Sequence, residues 1–203
     1  MRNLIGPLFF TLIVVFSACS SRAFLSLSSS DYEQLKSDLN NLEQSTLVVR
    51  LYTNNPKIKA LRKTGNQKAL DKYLKERKKY MRLMIDTWSE NYDFSEIVYI
   101  PDSLFKTFER NPQGTYFLNE SLELDPSIQL KTENYFVLGR GERDLAFVWL
   151  HQDQRRLDPQ PPVNFDKLTP WEMIQGTDKF LRYRVRDANT YFHKVVNSKS
   201  NEP

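Results

Sequence analysis

Few side chains in this chain of 203 residues can do covalent or acid–base chemistry, and their spacing narrows that chemistry further. There is one cysteine, Cys19, and there are two histidines, His151 and His193. A lone thiol cannot close an internal disulfide or build a multi-cysteine metal centre. His151 has Asp153 close by, but no nucleophile-elbow sequence accompanies it, and His193 stands one position off the apolar face of the last helix. Two scattered histidines lack metal-ligand spacing, and no glycine-rich phosphate loop is present. What remains is polar or cationic: Asn54, Asn55, Asp102 and Ser103 at two expected strand ends, and a run of lysines between them.

The lysine run is the sharper signal. Residues 57–82 hold eleven basic and two acidic residues, a net +9, while the rest of the chain after residue 18 carries −6. Lys68, Lys72, Lys75, Lys79 and Arg82 recur at four-three-four-three spacing, which places them on one face of a helix. Such a stripe suits an anionic partner: lipid headgroups, lipopolysaccharide or other polysaccharide, or nucleic acid. The plain alternative is a solvated helix face kept soluble by charge. Lysine outnumbers arginine eight to three here, which favours diffuse attraction over bidentate phosphate recognition.

The elements that position these groups follow from pattern. Thr46 to Tyr52 is apolar and β-branched without clean alternation, the mark of a strand buried on both faces. A helix is expected from Pro56 to about Thr64, a left-handed break at Gly65, a cap at Asn66 and a long helix from Gln67 to about Tyr92. Its buried stripe is expected at Leu70, Leu74, Met81, Ile85 and Trp88, interrupted by Arg77. Apolar density is highest from Tyr80 to Trp88, so the N-terminal half is expected to overhang the sheet. A second strand, Phe94 to Ile100, would pair in parallel with the first. That puts Asn54 and Asn55 on the same sheet edge as Asp102 and Ser103, where open α/β folds bind ligands; the same four residues also suit helix caps.

Before the first strand, Ser30-x-x-Glu33 reads as a capping box opening a helix from Asp31 to Gln44 that docks on the domain edge. After the second strand come a short helix to about Glu109, a third strand from Thr115 to Asn119 and a hairpin of Tyr135–Leu138 with Leu145–Leu150. A proline-rich surface segment follows, then a second capping box, Thr169-Pro170-Trp171-Glu172. A last helix from about Thr177 to Val196 buries Leu181, Val185, Ala188, Phe192 and Val195. The fold class is α/β, a mixed sheet of about five strands with a long two-helix crossover after the first. The order of elements resembles the thioredoxin fold over about residues 46–196, in topology alone. Where that family carries its cysteine pair, this chain has Thr53-Asn54-Asn55-Pro56, so thiol redox chemistry is excluded.

The N-terminus has Arg2, an apolar segment from Leu4 to Phe16 and then Ser17-Ala18-Cys19, the layout of a signal peptide too short to span a bilayer. Ser17-Ala18-Cys19 resembles the lipobox of bacterial lipoproteins, with Phe16 where that family usually has leucine or another aliphatic residue. The resemblance implies cleavage before Cys19 and lipidation of its thiol; an ordinary signal peptide cut after Ala23 is the alternative. Domain organisation is then residues 1–18 signal, 19–30 tether, 31–196 one α/β domain and 197–203 flexible tail. The Gly65-Asn66 break and Tyr92-Asp93-Phe94 are also similar to those of uncharacterised exported bacterial proteins, which implies no activity.

The expectation is a lipid-anchored protein of the bacterial envelope, a non-enzymatic binding or assembly module with a basic helical projection. It needs no metal or cofactor. Its partners would be a membrane, through the lipid anchor, and an anionic lipid or polysaccharide. Nucleic acid fits poorly with export, and self-association through the overhanging apolar stripe is a further possibility. The alternative is an exported enzyme using the Asn54, Asn55, Asp102 and Ser103 edge, with His151 if folding brings it near.

Overall fold

The computed structural model describes residues 28–53, 55–140, 147–157 and 177–198. At its centre is β1 (Thr46–Leu51), whose residues are buried except for the half-buried Arg50. It pairs in parallel with β2 (Glu96–Pro101) on one side and with β3 (Tyr135–Arg140) on the other. An antiparallel β4 (Phe147–His151) completes the order β2-β1-β3-β4. The class is mixed α/β, as the pattern predicts.

Because side chains alternate across a strand, β1 serves two cores. Leu47, Val49 and Leu51 face α1 (Ser29–Glu43), α3 (Gln67–Asn91) and α5 (Thr177–Asn197), while Val48 faces α4 (Asp102–Arg110) through Phe105 and Phe108. The larger core closes on aromatic rings. Trp149 of β4 meets Phe192 of α5 at 4.9 Å and Trp88 of α3 at 6.0 Å, and Phe94 meets Phe192 at 5.3 Å. The expected stripe on α5 is fully realised, with Leu181, Val185, Ala188, Phe192 and Val195 all at 0% exposure.

The crossover contains α2 (Asn55–Lys63) and α3, joined at Gly65 in the left-handed conformation with φ +66°. Glycine suits this position because an L side chain there is strained. Asn66 then caps α3, its side chain accepting from the Ala69 N–H at 3.0 Å. Twenty-five residues give α3 a length of about 38 Å, about twice the reach of a five- or six-residue strand. From Asp71 to Leu83 it buries no residue fully, and α2 buries none at all.

Several expectations are corrected. Among the described residues the sheet has four strands, since Thr115–Asn119 contributes only an isolated bridge, Leu118 to Leu124. There the chain turns back on itself: the Asn119 carboxamide oxygen accepts from the N–H groups of Ser121 and Glu123, and Leu118 N–H alone reaches the β2 edge, at Tyr99. The N-cap of α1 is Ser28, whose hydroxyl accepts from Asp31 N–H at 3.1 Å, so Ser29 and Ser30 are already helical. Nor does α1 merely dock at an edge, because Leu35, Leu39 and Leu42 are wholly buried. On α3 the stripe shifts: Leu74 is 38% exposed and Thr87 is buried instead. Asn197 is the last residue of α5, and Ser198 is held by Tyr32 Oη and by the Lys36 ammonium, each at 2.5 Å. Cys19, Asn54, the hairpin loop, the proline-rich segment and the second capping box lie outside the described residues.

Candidate functional site

The lysine stripe occupies the part of α3 that the sheet does not cover. Lys68, Lys72, Lys75, Lys79 and Arg82 are all exposed. The first four have no ion pair among the described residues, although Asp71 and Glu76 lie on the same helix. Asp71 instead accepts from the Gln67 carboxamide at 2.7 Å. Arg82 differs, since its guanidinium donates to the Glu120 carbonyl and ties α3 to the loop after the Leu118 bridge. Arg77, which breaks the apolar stripe, lies 4.5 Å from the Tyr80 ring centroid and 5.5 Å from that of Tyr52, so its charge is held against the scaffold.

A shallow groove of about 480 Å³ runs beside this stripe, walled by Lys75, Lys78, Lys79, Arg82, Leu83 and Asp86 on α3 and by Asp178 and Arg182 on α5. Arg182 donates through Nε to Asp178 at 2.9 Å and through Nη1 to Glu90, so its charge is neutralised locally. These two hydrogen bonds also hold its guanidinium pKa above the usual arginine value. The three lysines on the opposite wall lack such partners. The α3 wall therefore keeps a net positive charge, with Asp86 as the acid among its lining residues.

The strand-end edge looks different once folded. Pro101 occupies the N-cap of α4 without a side-chain cap bond, and Asp102 and Ser103 are its first two helical residues. Asn55 likewise begins α2 rather than capping it. The cap explanation therefore fails for Asn55, Asp102 and Ser103. Asp102 is claimed by Arg50, whose Nε donates to Oδ1 at 3.1 Å and whose Nη2 donates to the same oxygen. The Arg50 guanidinium also covers the Phe105 ring at 4.2 Å. Ser103 is exposed beside this pair. The chemistry of the edge is a half-buried, ring-shielded ion pair, and Arg50 is the residue that sequence reading missed. Its signal was a lone charge inside an otherwise apolar strand.

His151 does not join this edge. Its partner in the ladder is Phe136, which pairs with Leu47, so it lies at the start of the parallel strands while Asp102 lies at their end. There it faces Asp38, with Nε2 to Oδ2 at 3.9 Å, beside a polar cleft of about 440 Å³. Asp153 belongs to Arg155 instead, which donates from its backbone N–H at 3.1 Å and from Nε at 2.5 Å and lowers the carboxyl pKa. Ser45 in the same cleft donates to the Asn41 carbonyl, spending its hydroxyl on the end of α1. No described serine is placed for proton transfer to His151.

His193 closes a latch between α3 and α5. Its Nε2 donates to Asp93 Oδ1 at 2.9 Å, and Asn189 donates to the same oxygen at 2.7 Å while accepting from the N–H groups of Asp93 and Phe94. These bonds, His193 first, lower the Asp93 pKa. Tyr92-Asp93-Phe94 is thus the joint that turns the crossover into β2. No helix among the described residues is long and apolar enough to cross a membrane. No protein-family model, curated protein or solved structure matches the chain.

Proposed function

We propose that this is an exported protein of the bacterial envelope, held to a membrane by lipid on Cys19, that acts as a non-enzymatic binding or assembly module. Its working surface is the lysine face of the α2–α3 projection, and its partner is an anionic lipid surface. The observation that carries this reading is the row Lys68, Lys72, Lys75 and Lys79: exposed, periodic, without ion pairs among the described residues and on a stretch of helix that buries only Leu70. Exposed cations normally find acidic neighbours along a helix; these lie on a segment of net +9 in a chain whose remainder is acidic. Each lysine brought to an anionic membrane contributes about 1 kcal/mol. Thioredoxin-like order of elements carries no part of the proposal.

Sedimentation with phosphatidylglycerol vesicles against phosphatidylcholine vesicles, over a salt series, tests the surface. Binding is expected only to the anionic vesicles, weakening as salt rises. Replacing Lys68, Lys72, Lys75 and Lys79 with glutamate should cut it by at least about a hundredfold, given about 1 kcal/mol for each lysine. A charge-reversed variant that binds as before overturns the reading. For the anchor, palmitate labelling of cells should mark the protein and disappear in Cys19→Ala. Unlabelled wild-type protein would remove the anchor and leave the surface to stand alone.

A further inference from the structure

On the other side of Lys78 from the basic groove lies a second cleft, of about 420 Å³, between α2, the middle of α3 and the loop that follows Asn119. Its walls are aliphatic: Ile58 of α2, Leu74 and Met81 of α3, and Leu122. Leu74 is one of only three large apolar residues left exposed among the described residues, at a position where helix periodicity calls for burial. Leu122 sits at φ +65°, a conformation that costs a branched residue strain, and its half-buried side chain lines this cleft. Arg77 and Lys78 stand at the rim, with Glu123 as the single acid.

One polar atom in the cleft is unaccounted for. The Thr53 hydroxyl oxygen is buried and has no hydrogen-bond partner among the described residues. Buried polar groups are nearly always paired, so an orphan against an open cleft points to a missing partner. An aliphatic slot, a buried donor without an acceptor and a cationic rim continuous with a lysine groove together describe one ligand chemistry. The volume lies in the range of small-molecule sites.

We infer that this cleft takes one acyl chain of an anionic lipid. The chain lies against Ile58, Leu74, Met81 and Leu122, the Thr53 hydroxyl donates to a glycerol or ester oxygen, and the phosphate rests on the Lys78 side of the rim. The inference rests on the reading of the lysine face as a lipid-facing surface. It adds that the protein takes hold of a single lipid molecule rather than only adsorbing to many.

Calorimetric titration of the full chain with a lysophosphatidylglycerol below its micelle concentration tests this, with lysophosphatidylcholine and glycerol phosphate as comparisons. Saturable binding of one lysophosphatidylglycerol per chain is expected, with lysophosphatidylcholine weaker and glycerol phosphate without effect. Leu74→Gln, which leaves the charge unchanged, should reduce affinity at least tenfold, and the near-isosteric Thr53→Val a few-fold, while both adsorb to phosphatidylglycerol vesicles like the wild type. If glycerol phosphate binds as well as the lysolipid, or if neither variant changes affinity, the cleft assignment is overturned. Vesicle adsorption without lysolipid binding sinks the cleft and leaves the surface reading intact. Lysolipid binding sensitive to Leu74→Gln but no vesicle adsorption supports the cleft and removes the surface.

Discussion

The two halves of α3 are one continuous helix in two different environments. Between Met84 and Trp88 four of five residues are buried, and Trp88 is wholly enclosed among Tyr92 and Trp149. Between Lys68 and Lys79 only Leu70 is buried, while five lysines are exposed. The helix is as well formed at one end as at the other, so backbone hydrogen bonding does not distinguish them. Contact with the sheet does. A helix of about 38 Å laid on strands of about 20 Å has length left over, and that excess is free to carry a surface that the core does not constrain.

The largest test of this contrast removes the core anchor. Trp88→Ala should lose about 3–5 kcal/mol, measured by urea unfolding, because it empties a closed aromatic cluster. Lys72→Ala, four turns away, should stay within about 0.5 kcal/mol of the wild type in the same assay. Comparable losses at the two positions would erase the distinction between halves.

A smaller effect is expected at the joint. Gly65→Ala meets no atom within 4 Å, so its cost comes from the positive φ alone, about 1–2 kcal/mol. Since α2 packs on α3 rather than on the sheet, that cost should fall on the hairpin. Hydrogen exchange should quicken in α2 while β1 and α5 keep their protection. Uniform loss across the sheet would show instead that the hairpin is coupled to the core.

Much of the fold was legible because it rests on short-range pattern. The α5 stripe, the buried β1, the Gly65 break and the Asn66 cap each follow from residues close in sequence, and the parallel sense of the β1–β2 pair follows from the helical crossover between them. The Thr115–Asn119 segment differs from the expected strand because its continuous apolar run, Tyr116 to Leu118, suits a strand, while the Asn119 side chain bends the chain before a ladder forms. Leu74 was misread for a related reason: periodicity gives the face a residue occupies but not whether anything lies opposite it. At the strand edge, Asp102 was seen and Arg50 was not, because their pairing needs the parallel register that sets Arg50 beside Ile100.

The sequence by itself determined the types of the five helices and the four sheet strands described, the two-sided burial of β1 and the concentration of positive charge between residues 57 and 82. These depend on side-chain type and on spacing within a few turns of chain. Tertiary structure alone decided that Arg50 neutralises Asp102, that His151 sits at the opposite edge facing Asp38, and that Thr53 and Leu74 border an open cleft. Each of those outcomes depends on which distant segment fills the space beside a residue, and helix length against strand length left one of those spaces unfilled.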